Sequence, residues 1–248
     1  MKTIRLFSSD LDGTLAGDPR ASRAFADFWS ALDPASRPVL VYNSGRLVDD
    51  MATFIVEEGL PQPDFFIGGV GTMLSSSSHG HLADRFSAAV GRGYDVAAVE
   101  RILSQFPGVT RQPDRYQHAY KSSWFLHDAG GTELVALEAA LAAAGLSATI
   151  VYSSGRDLDI IPDQADKGSA LTWLCAELGV GLDEVVVAGD TGNDRGMFTL
   201  RGVRGIVPAN GLAELRALGM RMPNVYMAGS EMAAGVIEGL RHWQVGTA

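Results

Sequence analysis

Two aspartates with one residue between them follow a short apolar run early in the sequence. The run covers residues 4–7, and Asp10 and Asp12 come just after it, followed by Gly13. Aspartates often cap helices and turns, so an N-cap or an Asx turn is one interpretation. At the end of a strand, however, two carboxylates can face one pocket and attract a hard cation such as Mg²⁺. Gly13 gives the backbone the freedom to turn there.

A second acidic pair lies far along the chain, in the segment VVVAGDTGND. Asp190 follows a strand-like run, and Asp194 comes after a turn that contains glycine. The two pairs converge only if both strands lie side by side in one sheet. In that case the carboxylates share the edge of the sheet where the carboxyl ends of parallel strands open onto a ligand crevice.

A third segment, PVLVYNSGR, supplies groups that suit phosphate oxygens. It ends on Ser44, Gly45 and Arg46, which offer a hydroxyl and backbone N–H groups. An arginine at the start of a helix is equally suited to pairing with surface acids, so both interpretations of Arg46 stay open. Lys167 opens a predicted helix in DKGSAL and would place positive charge opposite the anions, although a lone lysine is more often a solvated helix residue.

The elements that must position these residues alternate between strands and helices. In the first part, the apolar runs that predict strands are 4–7, 38–43 and 64–68. One helical face between them is marked by the spacing of Phe25, Phe28, Trp29 and Leu32. After residue 165 the same order returns, with a helix at about 167–178, strands at 184–189 and near 203–207, and a helix from about 230. This alternation predicts an α/β fold with a doubly wound parallel sheet.

Between these two parts the character of the sequence changes. A polar stretch, SSSSHGH, is followed by helical patterns at about 95–106 and 131–144, and by three segments that predict antiparallel strands: YKSSWFLH, ATIVYSS and RDLDIIP. We therefore predict an inserted α+β domain at 79–162, with hinges at the serine run and near Pro162. The core domain would consist of residues 1–78 and 163–248.

Composition and charge exclude several classes of function. The 248 residues carry a formal net charge of −9, which leaves no basic stripe for nucleic acid. No stretch approaches the roughly twenty apolar residues of a membrane span, and the first apolar run is too short for a signal peptide. The single cysteine, Cys175, lies in an apolar helical pattern. We expect a cytoplasmic protein; the sequence carries no signal for an oligomeric state.

The segments DLDGTL, NSGR, DKG and GDTGND resemble, in their order and spacing, the four motifs of the haloacid-dehalogenase-like (HAD) phosphatases. They span nearly the whole chain, and the insertion resembles the C2-type cap of the Cof-like subfamily. Within that subfamily, KSSWFLH, YSSGRDLDIIP, DKGSAL and GDTGNDRGMF are similar to the sucrose-phosphate phosphatases. The second motif has Ser44 where many relatives have threonine, which retains the hydroxyl.

The resemblance implies roles for the acidic residues. Asp10 would be the nucleophile that forms an aspartyl-phosphate, and Asp12 the general acid that protonates the leaving alcohol and then activates water. Mg²⁺ would be held by Asp10, the backbone carbonyl of Asp12 and Asp190, with Asp194 as a further ligand or beside the ligands.

It also implies how the phosphoryl group would be held. Ser44 would donate a hydrogen bond to it, with Gly45 and Arg46 beside it as substrate contacts. Lys167 would stabilise its charge and position the nucleophile, and Asn193 would orient the phosphoryl group or the nucleophile.

Substrate contacts in the insertion follow from the resemblance and from strand alternation. Lys121, Ser123 and Ser154 lie in strands whose counterparts in the family contact the sugar. Alternation places Lys121 and Ser123 on one face and Trp124 on the other, which favours a polar face toward the cleft. Trp124 and Phe125 are equally consistent with a place in the core of the insertion.

The expected substrate is a small sugar phosphate, preferably a phosphorylated non-reducing disaccharide such as sucrose 6-phosphate or mannosylfructose 6-phosphate. A glucosylglycerol-type or mannosylglycerate-type phosphate is an alternative. Three other hypotheses stay open: a phosphosugar mutase, a receiver module phosphorylated on aspartate, and a partner of a sugar-phosphate synthase.

Two further features have simpler interpretations. His79 and His81 alternate as metal ligands can, yet a Ser/Gly/His stretch is more often a polar hinge. The segment GGVGTML at 68–74 lacks the GxGxxG pattern, so it does not predict a dinucleotide site. The resemblance makes it a turn that faces the insertion and the sugar.

Overall fold

The computed structural model describes residues 2–246, which form two sheets with flanking helices. The strands are β1 (Leu6–Ser9), β2 (Val39–Asn43), β3 (Phe65–Gly68), β4 (Met73–Ser75), β5 (Thr110–Arg111), β6 (Ser122–Phe125), β7 (Ala148–Ser153), β8 (Asp157–Pro162), β9 (Val185–Ala188), β10 (Arg204–Val207) and β11 (Val225–Met227). The helices are α1 (Pro19–Ser30), α2 (Val48–Glu57), α3 (Gly80–Val90), α4 (Val96–Leu103), α5 (Gly131–Ala143), α6 (Lys167–Leu178), α7 (Arg195–Phe198), α8 (Ala213–Gly219) and α9 (Met232–His242).

The larger sheet has the strand order β11-β10-β9-β1-β2-β3-β4. All neighbours are parallel except β3 and β4, which form an antiparallel hairpin at one edge. The chain first builds outward from β1 through β2 and β3, and after the insertion it returns to the other side of β1 with β9. The predicted doubly wound sheet is confirmed, and β1 and β9 lie side by side.

Each face of this sheet is covered by helices through an apolar cluster. On one face, Phe7 of β1 packs with Phe25 and Trp29 of α1, with ring centroids 5.7 to 6.2 Å apart. The residues from α2 and α9 in the same cluster are Met51, Ile55, Val236 and Leu240. On the other face, α3, α6, α7 and α8 contribute Leu82, Phe86, Leu171, Leu174, Phe198 and Leu215.

The smaller sheet is antiparallel, in the order β5-β6-β8-β7. Helices α4 and α5 cover one face, where Val99 and Leu137 pack with Trp124 and Leu158. The antiparallel strands predicted from YKSSWFLH, ATIVYSS and RDLDIIP are therefore present. We call this unit, from β5 to β8 with α4 and α5, the cap.

The packing of helix α3 bears on the boundary predicted at residue 79. Leu82 and Phe86 of α3 are buried in the cluster that also holds Leu171 and Val185 of the larger sheet and its helices. The helix thus packs with the core. We propose that the cap begins after Val90, where Gly93 has a φ of +83°.

Two observations bear on other expectations. Cys175 is buried in α6, and burial raises the pKa of its thiol to about 12, which fits the predicted apolar helix face. Among the described residues, no helix combines the length and apolar character needed to cross a bilayer.

Candidate active site

Three carboxylates meet where β1 and β9 end. Ser9 and Ala188 are register partners, and the amide of Asp10 donates to the carbonyl of Ala188 at 3.0 Å. Asp10 therefore leaves the sheet beside the loop that carries Asp190 and Asp194. One oxygen from each of these three buried carboxylates lies within 4.8 Å of the others. Asp10 of the first acidic pair thus lies beside both members of the second pair.

Lys167 neutralises part of this negative charge. Its Nζ lies 2.9 Å from Oδ1 of Asp10 and 2.7 Å from Oδ1 of Asp194, and none of the three side chains is appreciably exposed. Lys167 reaches the site because it is the first residue of α6, which Asp166 caps by accepting from the amide of Ser169. The expectation of a solvated helix lysine is thereby excluded.

Burial and charge shift the pKa of each partner. Burial raises the pKa of Asp10 well above its usual value, and Lys167 opposes that shift. Burial alone would lower the pKa of Lys167, but the charges of Asp10 and Asp194 outweigh it and raise this pKa. Burial, followed by repulsion from Asp194, raises the pKa of Asp190 to about 6.

Backbone and hydroxyl donors hold the second acidic pair in place. Thr14 Oγ1 donates to Oδ1 of Asp190 at 3.1 Å. Oδ2 of Asp194 accepts from the amides of Asp190 and Thr191 at 3.0 and 3.1 Å. Gly13, with a φ of +73°, lies so close to Asp190 that a Cβ would collide with its carboxylate. The turn after β1 therefore requires glycine.

The donor set fits a hard divalent cation. Three buried carboxylates face one lysine, so the cluster retains net negative charge among groups that have little access to water. Carboxylate oxygens are the ligands that Mg²⁺ prefers, and Mg²⁺ commonly binds one or two carboxylates together with substrate phosphate. Asp10, Asp190 and Asp194 are therefore the residues that would hold it, with the backbone carbonyl of Asp12 as the further ligand predicted from the family.

The predicted phosphate-binding residues line the same cavity as Asp10. Ser44 and Gly45 follow β2, and Asn193 lies in the loop after β9. Ser44 is 1% exposed, and its Oγ accepts from the amide of Arg46 at 3.2 Å. Oδ1 of Asn193 accepts from Thr191 Oγ1 at 2.9 Å, which fixes the amide beside Gly45.

Asp12 and Arg46 form a pair at the mouth of the cavity. The Asp12 carboxylate is half exposed and accepts from Nε and Nη2 of Arg46 at 2.7 and 2.8 Å. Nη1 of Arg46 binds Asp50 at 2.6 Å, and the guanidinium stacks 3.7 Å above the ring of Phe54. Arg46 was open to two interpretations, a phosphate contact or a partner of acidic residues. The structure shows it paired with Asp12 and Asp50, and the residue also lines the cavity.

The cap forms one wall of the cavity, whose volume is about 520 Å³. Lys121 and Ser154 line it, and the buried Nζ of Lys121 lies 3.1 Å from Oδ1 of Asp159. Ser123 is not among the lining residues. Its hydroxyl donates to the carbonyl of Tyr116 at 3.0 Å and is fully buried, so the structure does not place it at the cavity surface.

Strand alternation explains which cap residues the sequence indicated and which were missed. Trp124 lies in the cap core, whereas Lys121 and Phe125 line the cavity, as the alternation predicts for Lys121. The lining residues that were not predicted are Asp50, Gln112, Tyr116, Phe125, Ser153, Arg156, Asp157, Asp159 and Thr191. The acids of RDLDIIP alternate with buried Leu158 and Ile160, which is a signal that identifies Asp157 and Asp159.

The histidine pair has a structural role. The ring of His79 stacks on Phe65 with centroids 5.2 Å apart, and Ser78 Oγ bonds its Nδ1 at 2.9 Å. Among the described residues, neither His79 nor His81 belongs to a group of side chains that could hold a metal.

Comparison with known proteins agrees with this geometry. A family model described as sucrose-6F-phosphate phosphohydrolase matches residues 3–244. The chain belongs to this family. The mannosylfructose-phosphate phosphatase of Agrobacterium fabrum is 53% identical over 243 residues, which cover 98% of each chain.

Solved structures place the family in the HAD fold. The sucrose-phosphatase of Synechocystis sp. PCC6803, solved in complex with sucrose and phosphate, matches with a TM-score of 0.88 and 25% identity, over 98% of this chain and 99% of that one. A haloacid dehalogenase-like hydrolase from Bacillus subtilis matches with a TM-score of 0.66 and 17% identity, over 97% and 94%. The sequence-based assignment to the HAD phosphatases is confirmed, and the chain is a sugar-phosphate phosphatase.

Proposed function

We propose that the chain hydrolyses the phosphate monoester of a non-reducing disaccharide, with mannosylfructose 6-phosphate as the preferred substrate. The observation that carries the proposal is the cavity of about 520 Å³ in which Asp10 and the polar face of the cap meet. A cavity of this size falls within the range of small-molecule sites. Full-length identity of 53% to a mannosylfructose-phosphate phosphatase supports this substrate over sucrose 6-phosphate.

The first half of the reaction is assigned to Asp10 and Asp12. Lys167 binds Oδ1 of Asp10, which leaves Oδ2 to attack the phosphorus and form the aspartyl-phosphate. Asp12 donates a proton to the oxygen of the departing sugar as the P–O bond breaks. Ser44 and Asn193 bind the transferring phosphoryl oxygens, and Lys167 stabilises their charge.

In the second half, Asp12 accepts a proton from a water molecule, which attacks the phosphorus and releases phosphate from Asp10. Mg²⁺, when bound by the carboxylates, supplies positive charge that neutralises the phosphoryl oxygens. Cap residues line the cavity, and we expect them, together with the bound sugar, to exclude bulk water apart from the molecule that attacks.

Phosphate release from a panel of phosphate esters tests the proposal. The panel contains mannosylfructose 6-phosphate, sucrose 6-phosphate, glucosylglycerol phosphate, mannosylglycerate phosphate, fructose 6-phosphate and a nucleotide, each assayed with Mg²⁺. We expect mannosylfructose 6-phosphate to have the highest kcat/KM. Best turnover of the nucleotide, or of fructose 6-phosphate, would overturn the disaccharide assignment.

Asp10→Asn is the variant that tests the nucleophile. It removes the attacking oxygen anion without changing the size of the side chain, so we expect no phosphate release above background. Asp18→Asn is the matched control, because Asp18 is an exposed N-cap of α1 and asparagine caps a helix equally well. The control should retain full activity.

The same panel separates the alternative functions. A mutase would isomerise the sugar phosphate with little free phosphate. A receiver module would retain a long-lived aspartyl-phosphate after treatment with acetyl phosphate, whereas Asp12 should promote its rapid hydrolysis. We further propose a cytoplasmic location and association with the synthase that makes the substrate; co-purification of the synthase would support the latter.

A further inference from the structure

The turn between β3 and β4, residues 68–72, holds the backbone of the phosphate-binding loop. The amide of Gly69 donates to the carbonyl of Arg46 at 2.7 Å, and the amide of Val70 donates to the carbonyl of Ser44 at 3.1 Å. The two carbonyls flank Gly45. The position of Ser44 in the cavity therefore depends on the conformation of this turn.

That conformation is unusual for one of its residues. Gly69, Val70 and Gly71 all have positive φ, at +59°, +58° and +89°. Glycine adopts such angles freely, but a β-branched residue in the left-handed region is strained. A strained residue persists only where its surroundings hold it in place. The surroundings of the valine side chain therefore indicate why the strain is tolerated.

Val70 is 1% exposed and packs against residues where the chain crosses between core and cap. It forms a buried cluster with Ile161, at the end of β8, and Ala165, in the segment that returns to the core. Val90, at the end of α3, and Val151, of the cap sheet, pack against the same cluster. Val70 thus belongs to a cluster that is built from both crossings and the cap.

The turn also borders the phosphate-binding loop and the start of α6. A Cβ on Gly45 would lie 3.8 Å from Cγ2 of Val70. A Cβ on Gly71 would collide with the carbonyl of Asp166, directly before Lys167. The turn is therefore packed between the cap, the phosphate-binding loop and the start of α6, with no space for adjustment at Gly71.

We propose that Val70 is a positioning residue through which the docked cap fixes the phosphate-binding loop at Ser44. When the cap sheet covers the site, Ile161, Ala165 and Val151 press on Val70 and hold the turn in its left-handed conformation. The amides of Gly69 and Val70 then hold the loop with Ser44 in place. A sugar that binds the cap stabilises this docked arrangement further and with it the phosphate site. This inference rests on the proposed sugar-phosphate phosphatase function.

Val70→Gly is the informative variant. Glycine adopts the same φ without strain, so the turn can keep its backbone conformation while the side-chain packing against the cap cluster and beside Gly45 is lost. We expect kcat for mannosylfructose 6-phosphate to fall about tenfold or more, because small displacements of positioning groups have large effects on rate. The rate with p-nitrophenyl phosphate, which has no sugar for the cap to bind, should change less than about twofold.

Val99→Ala is the matched control. Val99 is a fully buried valine of the cap core that does not contact the turn. The Val99→Ala substitution should leave the ratio of the rates with mannosylfructose 6-phosphate and p-nitrophenyl phosphate unchanged. An equal loss with both substrates in Val70→Gly, or no loss with either, would overturn the proposal, since the first indicates a merely structural role and the second no role.

Hydrogen exchange gives a readout that needs no substrate. In Val70→Gly, the peptide that covers residues 43–47 should exchange faster than in the unsubstituted protein, whereas Val99→Ala should match the latter. Unchanged exchange in Val70→Gly would overturn the proposal. If the unsubstituted protein cleaves p-nitrophenyl phosphate but no sugar phosphate, the proposed substrate class fails, and exchange alone decides the role of Val70.

Discussion

The core and cap walls of the active-site cavity are built differently. On the core side, the buried Asp10 and Asp190 line the cavity, and the fully buried Lys167 and Asp194 lie next to them, with Lys167 paired to both Asp10 and Asp194. On the cap side, most lining residues project from the face of an antiparallel sheet and remain partly exposed. Groups that must act on the phosphorus are thus preorganised, whereas groups that meet the sugar have freedom to adjust to it.

Substitution of the buried lysine on each side, Lys167 of the core and Lys121 of the cap, is the sharpest test of this difference. Lys167→Met leaves two buried carboxylates without their counter-charge, so we expect phosphate release from every substrate to fall at least about a hundredfold. Stability should fall by about 3–5 kcal/mol, as when one partner of a buried pair is removed. Activity assays and thermal unfolding measure the two effects.

Lys121→Met is the comparison, because Lys121 is also buried and paired, with Asp159. Its effect on stability should be similar in sign, but turnover of p-nitrophenyl phosphate should stay near its original value. If both lysine variants abolish turnover of that substrate, the division of labour between the walls is wrong.

Removal of the metal should impair the phosphate chemistry of the core, and therefore lower the rate for every substrate alike. Because Asp10, Asp190 and Asp194 retain net negative charge beside Lys167, we expect chelation by EDTA to reduce the rate by about a hundredfold or more for all substrates, and Mg²⁺ to restore it. Asp190→Asn should raise the Mg²⁺ concentration needed for half-maximal rate. Activity that persists after exhaustive chelation would contradict the metal assignment.

A substitution in the cap should discriminate between substrates. Asp159→Asn removes an acceptor from the cavity surface and leaves Lys121 without its charged partner. We expect kcat/KM for mannosylfructose 6-phosphate to fall about tenfold, the loss typical of one polar contact, with p-nitrophenyl phosphate within about twofold. If kcat/KM falls equally for the two substrates, Asp159 acts in phosphoryl transfer and not in recognition of the sugar.

The effect furthest removed from catalysis is a pH dependence of stability. The pKa of Asp190 is raised to about 6 in the folded protein, against 3.8 for the ordinary carboxyl. The folded state therefore binds more protons between these values, and the free energy of unfolding of metal-free protein should fall as pH rises from 4 to 7. The contribution is at most about 3 kcal/mol.

Thermal unfolding with EDTA across this pH range measures the dependence, and Asp190→Asn should flatten it. If the free energy of unfolding of Asp190→Asn falls with pH as steeply as that of the unsubstituted protein, Asp190 is not the source of the pH dependence. Mg²⁺ should reverse the trend, since the cation binds the ionised carboxylates.

The core was predictable because its signals are local and repeat. Helix α6 was predicted at 167–178 and spans those residues, because an N-cap aspartate and a following Gly179 mark its ends. Strand β1 was predicted from its apolar residues at 4–7, yet it continues through Ser8 and Ser9, which are fully buried. A polar residue in a buried strand is not recognised from hydropathy alone.

The cap and its boundary were harder to predict because they depend on tertiary partners. The spacing of Leu82 and Phe86 indicates a helix, but the sequence does not say which sheet that helix covers. Likewise, alternation places Ser123 on the cleft side, but the carbonyl of Tyr116, in the irregular segment before β6, accepts its hydroxyl and covers it. Pairings of this kind are set by packing, so the site on the core was foreseen more completely than the site on the cap.

The two crossings between core and cap lie together, since Val90 before the first and Ala165 within the second pack in one cluster. An insertion whose ends are neighbours can be lengthened, shortened or exchanged without altering the register of the larger sheet. Evolution can therefore replace the portion that recognises the sugar while the phosphate chemistry is inherited intact. For protein engineering, the same arrangement makes this cap a natural unit for grafting between phosphatases of different preference.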